Sequence, residues 1–230
     1  QYHMPSALRL GGEVDGHALQ AALGDLVARH EILRTRYTEV DGQPVQCIDA
    51  PGSIPLDLLD LRDLSPDERE ARLFAAKAEE SVRPFDLATR WPLRCTLVRL
   101  GEHDNALLLT LHHIASDGWS NGVLAREFAA AYEARRSGHT PQLPPLPVQY
   151  ADYAAWQRSR LQGDALAAEI AHWRVRLAGV PSVHSLPLDY PRPARQTFEG
   201  RSHYVVLDAG RTAAIRELCR RQGTTLFVFL

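Results

Sequence analysis

The chain has 230 residues, of which 45% are hydrophobic and 23% charged, and its formal net charge is −2 at pH 7. This composition is typical of an ordinary globular protein. The near-neutral charge provides no basic surface for nucleic acid, and no apolar run approaches the roughly 20 residues that span a bilayer. Nucleic-acid binding and membrane insertion are therefore not expected.

The cysteines constrain the class of protein further. Cys47, Cys95 and Cys219 are odd in number and far apart in the sequence. Such a set favours free thiols of a reducing compartment over disulfides or a metal site. No charged-then-apolar leader opens the chain, so we expect a cytoplasmic protein rather than a secreted one.

Apolar periodicity, caps and turn residues predict strands and helices along the chain. The predicted strands cover residues 3–10, 92–100, 106–112 and 201–207, and a hairpin turns at Asp41-Gly42. The predicted helices cover about residues 17–29, 66–82, 118–136, 148–161, 165–178 and 211–222, and Thr224 or Thr225 caps a final one. Residues 49–64 are expected to be irregular. The aromatic side chains of the 148–161 helix, which are Tyr150, Tyr153 and Trp156, are expected to pack in the core.

The stretch with the clearest chemical content is Leu107–Ser120, whose sequence is LLLTLHHIASDGWS. A short leucine-rich run bounded by turn residues predicts a buried strand, and Asp117 with Gly118 predicts the start of a helix. His112 and His113 therefore lie where a central strand gives way to a loop, which is a common place for chemistry.

Several roles are compatible with this histidine pair taken by itself. Neighbouring residues on a regular strand point to opposite faces, so only one of the two imidazoles can enter a cleft. There it could accept a proton from a nucleophile. A zinc site is a weaker alternative, because no third ligand is near. The plainest alternative is that His113 is a core histidine and that Asp117 only caps the helix.

The spacing His-His-x-x-x-Asp-Gly, followed by Trp-Ser, resembles the core motif of the condensation domains of nonribosomal peptide synthetases. Chloramphenicol acetyltransferase-like acyltransferases share this motif in outline. Residues 29–37 (RHEILRTRY) resemble the second condensation motif, and residues 150–156 (YADYAAW) resemble the fourth. The order and spacing of the motifs also match. The resemblance runs from end to end of the chain but covers about half of such a domain.

The resemblance implies an α/β fold, a two-layer sandwich of the chloramphenicol acetyltransferase-like kind. Residues 1–179 would form its amino-terminal lobe, residues 180–200 a proline-rich crossover linker, and residues 201–230 the start of a truncated carboxy-terminal lobe. The apolar ending Leu226–Leu230 adds to the expectation of a fragment cut at both ends, because termini normally lie at the surface. Such a fragment is expected to be poorly soluble and inactive alone.

The reaction implied by the resemblance is amide formation between substrates on peptidyl carrier domains. The α-amine of an acceptor aminoacyl thioester attacks a donor aminoacyl or peptidyl thioester, both held on phosphopantetheine arms. The implied partners are upstream and downstream carrier domains and an adjacent adenylation domain, and no metal or other directly bound cofactor is implied. Tyr2–Leu10 and Asp117–Ser120 most resemble the subclass that takes L-configured donors. The alternatives are an epimerization domain, another acyltransferase of the superfamily, or a non-catalytic carrier-docking module.

The resemblance also assigns roles to individual residues. His113 would accept the proton of the attacking amine or hold that amine by a hydrogen bond. The amide of Gly118, at a helix start, could donate to the reacting groups or to the oxyanion. Asp117 would form a buried ion pair with Arg34 that holds the loop in shape, and His112 would support the loop from behind. Breaking a buried pair of this kind typically costs about 3–5 kcal/mol.

Overall fold

A computed structural model of the chain describes residues 2–183, 185–198, 200, 203 and 205–230. By internal contacts the chain divides into two units, Gln1–Ser182 and Val183–Leu230. In the described part of the chain, no helix is both long enough and apolar enough to span a membrane.

The first unit combines strands and helices. Its strands are β1 (His3–Gly11), β2 (Thr35–Val40), β3 (Gln43–Ile48), β4 (Leu56–Asp60), β5 (Leu93–Arg99) and β6 (Asp104–His112). Its helices are α1 (Gly16–Arg29), α2 (Pro66–Val82), α3 (Gly118–Arg136), α4 (Tyr150–Arg160) and α5 (Gly163–Arg176), with a 3-10 turn at Glu31–Arg34. The second unit contains α6 (Ala209–Arg221) and α7 (Leu226–Phe229). The predicted α/β class is confirmed.

The helix and hairpin starts follow the local sequence signals. The carboxylate of Asp15 accepts hydrogen bonds from the first amides of α1, and Ser65 with Glu68 forms a capping box at the start of α2. Asp41 and Gly42 have φ values of 52° and 74°, which is the left-handed backbone that a tight hairpin turn requires. The predicted starts of α1 and α2 and the predicted turn at Asp41-Gly42 are confirmed. Side-chain capping and turn conformation depend on residues that are neighbours in sequence, so a local pattern is enough to predict them.

β6 lies inside the main sheet, whose strand order is β1-β6-β5-β4. It pairs antiparallel with both β1 and β5, while β4 runs parallel to β5. All residues from Asn105 to Leu111 are buried, as expected for a strand covered on both faces. The register places His3 of β1 directly opposite His112, the last residue of β6.

The alternating side chains of β6 enter two separate cores. Leu107, Leu109 and Leu111 belong to a cluster with apolar residues of α1 and α3. Ala106 and Leu108 belong to a second cluster that also contains part of α2. Because successive side chains point to opposite faces of a sheet, β6 contributes buried side chains to both cores.

Three predictions about structure need correction or restriction. Residues 49–64 are not wholly irregular, since Leu56–Asp60 forms β4; this edge strand gains its structure from pairing with β5 and not from its own pattern. Of the predicted strand over 201–207, residues 201, 202 and 204 lie outside the described residues, and the others are not in a strand. The core packing predicted for the aromatic residues of α4 is wrong, because Tyr150, Tyr153 and Trp156 are 50%, 45% and 56% exposed.

The central position of β6 predicts a large cost for truncating its side chains. Leu107 is completely buried, so Leu107→Ala should lower the free energy of unfolding by about 2–5 kcal/mol through the cavity that it leaves. Leu58 of β4 is 58% exposed, and Leu58→Ala should change it by less than about 0.5 kcal/mol. Urea unfolding of the protein containing this chain, followed by circular dichroism, measures both values. Similar losses in the two variants would contradict the central role of β6.

Candidate functional site

The loop between β6 and α3 is held at both ends by short hydrogen bonds. The amide of His113 donates to the carbonyl of Tyr2 at 2.7 Å, and the amide of Ala115 donates to the carbonyl of His112 at 3.0 Å. At the other end, the carboxylate of Asp117 accepts from the Ser120 amide at 2.8 Å and from its hydroxyl at 2.6 Å. The loop therefore connects the end of a buried strand to a capped helix with little freedom.

His112 supports the loop from within the fold. Its Nδ1 accepts a hydrogen bond from the amide of Ile114 at 3.1 Å, so Nδ1 is unprotonated and the neutral ring carries its proton on Nε2. The ring makes edge contacts with His3 and Phe85 at centroid distances of 5.9 and 5.7 Å. Burial, followed by the nearby His3 and His113, lowers the pKa of His112, so the ring is neutral near pH 7.

His113 is the first residue of the turn and is exposed. The strand ends at His112. The alternation of side chains between the two faces of the sheet therefore does not determine where the side chain of His113 points. Its backbone is fixed by Tyr2 while its imidazole is accessible. The sequence predicts that the two histidines have different environments, and in the structure His112 is partly buried and His113 accessible.

The predicted ion pair between Arg34 and Asp117 is wrong. Arg34 is buried, 8% exposed, but its guanidinium donates to the backbone carbonyl of Asp49 and, at 3.2 Å, to Glu31. Asp117 is exposed and its carboxylate is occupied by Ser120, whose hydrogen bonds lower the pKa of Asp117. The carboxylate of Asp117 thus caps α3 and is not bonded to Arg34. Arg34 instead bonds to Asp49 and to Glu31, which lies three residues before it.

Asp49 organises the segment that carries Arg34, and sequence reasoning missed it. Its carboxylate accepts two hydrogen bonds from Arg36, at 2.8 and 2.7 Å, and one from the indole of Trp91 at 2.8 Å. The Arg36 and Trp91 donors hold the pKa of Asp49 at about 2. Asp49 lies 13 residues from Arg36, and only the pairing of β2 with β3 brings the two together.

A second charged cluster connects α1 to α3. Glu127 accepts from His30 Nε2 at 2.6 Å and from Arg29 at 3.0 and 3.3 Å. Burial opposes the charge of Glu127, but hydrogen bonds from Arg29 and His30 outweigh it and lower the pKa of Glu127. Gln149, just before α4, accepts from the Glu31 amide and donates to the Arg29 carbonyl. These contacts fix the 29–34 segment against α3 and the start of α4.

An apolar pocket of about 170 Å³ lies beside the loop. Ala115 of the loop and Leu111 of β6 contribute to its wall, together with Leu33 of the 3-10 turn and Trp119 and Val123 of α3. Trp119 is 85% exposed, so the pocket has an aromatic side chain in contact with solvent. Among the described residues, no group of three His, Cys, Asp or Glu side chains could hold a metal ion.

The whole chain, residues 1–230, matches the family model of the condensation domain. The chain belongs to the condensation domain family. It is 44% identical over 229 residues to a subunit of the linear gramicidin synthase of Brevibacillus parabrevis, and the match covers all of this chain and 3% of that protein. It is 43% identical over 227 residues to phosphinothricin tripeptide synthetase PhsC of Streptomyces viridochromogenes, covering 99% of this chain and 21% of that protein.

Solved structures of condensation-type domains have the same fold. The X-domain from teicoplanin biosynthesis is 37% identical with a TM-score of 0.82, over 98% of this chain and 49% of that one. SgcC5 from Streptomyces globisporus is 32% identical with a TM-score of 0.72, over 97% and 50%. The chain therefore has the chloramphenicol acetyltransferase-like α/β fold, and it spans about half the length of these two solved relatives.

The charge of Asp49 predicts a pH-dependent contribution to stability. Since its pKa is lowered to about 2 in the folded state, its stabilising effect is complete above its unfolded pKa of about 3.9 and is lost as the pH falls through 2. Asp49→Asn should therefore destabilise the protein at pH 7 and remove this part of the acid sensitivity. Asp41→Asn, in the exposed hairpin turn, is the matched control. Unfolding curves between pH 2 and 7 measure the difference, and parallel profiles for all three proteins would contradict it.

Proposed function

We propose that this chain is part of a condensation domain that forms peptide bonds in nonribosomal peptide synthesis. In this proposal residues 1–179 are the amino-terminal lobe, residues 180–200 the crossover linker, and residues 201–230 the start of the carboxy-terminal lobe. Family membership supports the reaction class. The observation that carries the proposal to particular residues is the position of His113, which is exposed on a backbone fixed by Tyr2 just before α3.

The proposed substrates are thioesters on carrier domains. An upstream peptidyl carrier domain presents the donor aminoacyl or peptidyl group, and a downstream one presents the acceptor aminoacyl group, each on a phosphopantetheine arm. An adenylation domain is the adjacent partner that supplies the activated amino acid. The domain itself binds no metal or nucleotide in this mechanism. We place it in the cytoplasm, which the free thiols of Cys47, Cys95 and Cys219 support.

The chemistry assigned to His113 concerns the attacking amine. A free α-amine has a pKa of about 8, and its attack on the thioester carbonyl forms a C–N bond, a cationic nitrogen and an oxyanion. Collapse of this intermediate breaks the C–S bond, and the departing thiolate takes up a proton. His113 contacts the nitrogen, either as the acceptor of its proton or as its hydrogen-bond partner. The neutral state of His112 keeps a second positive charge away from this step.

Gly118 is assigned to the reacting groups because nothing in its own surroundings requires glycine. A Cβ at this position meets no atom within 4 Å, and the φ of Gly118 does not lie in the left-handed region. As the first residue of α3, its amide lies at the positive end of the helix dipole. We assign this amide to the oxyanion, and we attribute the missing side chain to the close approach of the substrate.

The subclass proposed is the one that takes L-configured donors. The supporting residues are Tyr2–Leu10 and the sequence from Asp117 to Ser120. An epimerization domain, which shares the histidine motif, would instead invert the Cα of a carrier-bound residue without an acceptor. Chiral analysis of the carrier-bound donor, incubated with and without acceptor, separates the two reactions.

A partner-binding module is the second candidate. The teicoplanin X-domain, 37% identical to this chain with a TM-score of 0.82, has been solved in complex with OxyB, which supports the idea that a domain of this fold can serve as a binding partner. In such a module the motif residues would serve no reaction. Intact His113, Asp117 and Gly118 favour condensation over this candidate.

His113→Ala in the complete synthetase should lower dipeptide formation by about 10²–10⁴-fold if the imidazole accepts the proton. His103→Ala, in an exposed loop, is the control. Single-turnover assays with loaded carrier domains measure the rates. Full activity in a folded His113→Ala protein would contradict the role assigned to His113 in the attack of the amine.

Gly118→Ala should keep the stability of the protein, because the added Cβ has open space. It should nevertheless lower condensation by about 10–100-fold, since a small displacement of the reacting groups is costly. Gly122→Ala is the matched control on the same helix, where the Cβ makes only an ordinary 3.5 Å contact with Arg126. Thermal unfolding and turnover are measured for both variants. Unchanged turnover in Gly118→Ala would show that no substrate approaches this residue closely.

A further inference from the structure

The apolar pocket beside the motif loop has no part in the chemistry assigned to His113 and Gly118. We infer that it binds the aliphatic or aromatic side chain of one of the two carrier-bound aminoacyl groups and so contributes to substrate selection. This inference rests on the proposed condensation activity and assigns a specificity role to Leu33, Leu111 and Val123, which lie outside the histidine motif. The shared chemistry is an apolar amino-acid side chain, whether donor or acceptor.

The size of the pocket fits such a group. Its volume is about 170 Å³, and an apolar protein cavity of about 150 Å³ binds benzene while staying free of water. A leucine or phenylalanine side chain therefore matches the available space, whereas a phosphopantetheine arm is far too long for it. The walls formed by Leu33, Leu111 and Val123 offer dispersion contacts and no unpaired charge.

The location of the pocket relative to the motif gives the second argument. Ala115 lines the pocket and follows His113 by two residues, so their Cα atoms are at most about 7.6 Å apart. In an aminoacyl thioester the side chain begins on the carbon next to the reacting carbonyl. A pocket for the side chain must consequently lie close to the groups that act on the carbonyl, and Ala115 places one wall of this pocket near the backbone of His113.

The polar residues in the wall already have partners within the fold. His30 lines the pocket, and its Nε2 is hydrogen-bonded to Glu127 at 2.6 Å. The hydroxyls of Ser116 and Ser120, which also line it, are bonded to neighbouring side chains. An apolar guest therefore avoids the cost of stripping water from an unpaired polar group. Trp119, 85% exposed in the pocket wall, offers an indole surface that an entering side chain can cover.

The test fills or enlarges the pocket in the complete synthetase. Val123→Phe fills it, Val123→Ala enlarges it, and Ala125→Phe places the same ring on an exposed position of α3 outside the pocket. Carrier domains are loaded with glycine, alanine, leucine, phenylalanine or tryptophan. In one arm the donor is varied with a fixed acceptor, and in the other the acceptor is varied with a fixed donor.

In Val123→Phe, turnover of leucine and phenylalanine should fall at least about 10-fold relative to glycine, because the apolar contacts of the pocket are lost. The fall should occur in one arm only, either the donor arm or the acceptor arm. Val123→Ala should raise the relative turnover of tryptophan in that same arm, and this variant decides the matter if Val123→Phe does not fold. Ala125→Phe should leave the substrate preference unchanged.

An equal loss for all substrates in a folded Val123→Phe protein, or no change in either arm, would overturn the inference. An inactive wild-type protein with every substrate would instead overturn the proposed condensation activity. The two failures are therefore distinguishable.

Discussion

The burial of β6 is the constraint on which the rest of the structure depends. Residues from Asn105 to Leu111 are all buried, and their side chains enter the α1–α3 core on one face and the α2 core on the other. A strand held on both faces and by two neighbouring strands cannot shift its register without exposing a whole row of apolar side chains. The position at which β6 ends, and hence the position of the histidine loop, is therefore fixed by hydrophobic burial and not by polar contacts in the loop.

Charged contacts join the segments around this strand to one another. Asp49 gathers Arg36, Trp91 and the guanidinium of Arg34 around one residue, while Glu127 joins the end of α1 to α3. In both clusters a carboxylate is satisfied by several donors, which offsets the cost of partial burial. Asp117, in contrast, serves its own helix. The segment that carries Arg34 is thus held by contacts with Asp49, α3 and Gln149 and not by an ion pair with Asp117.

Much of this structure could be predicted from the sequence, and the failures share one physical cause. Caps such as Ser65 with Glu68, and the leucine-rich run of β6, depend on residues close in sequence, so their signals are local. The formation of β4 and the hydrogen bond between Arg34 and Asp49 depend on contacts between segments that are distant in sequence. No local sequence pattern predicts such contacts. The histidine motif could be identified as a functional candidate because its spacing is unusual. The hydrogen bond from the motif backbone to the carbonyl of Tyr2 could not, because it depends on the register between β1 and β6.

The end of strand alternation explains why two adjacent histidines have different environments. Leu111 faces the core and pocket of α1 and α3, and His112 faces the opposite side, where it contacts His3 and Phe85. His113 would return to the first face if the strand continued, but the turn begins there, and His113 is exposed. The end of one strand therefore provides a partly buried histidine whose ring accepts a hydrogen bond from the turn and, directly after it, an accessible histidine.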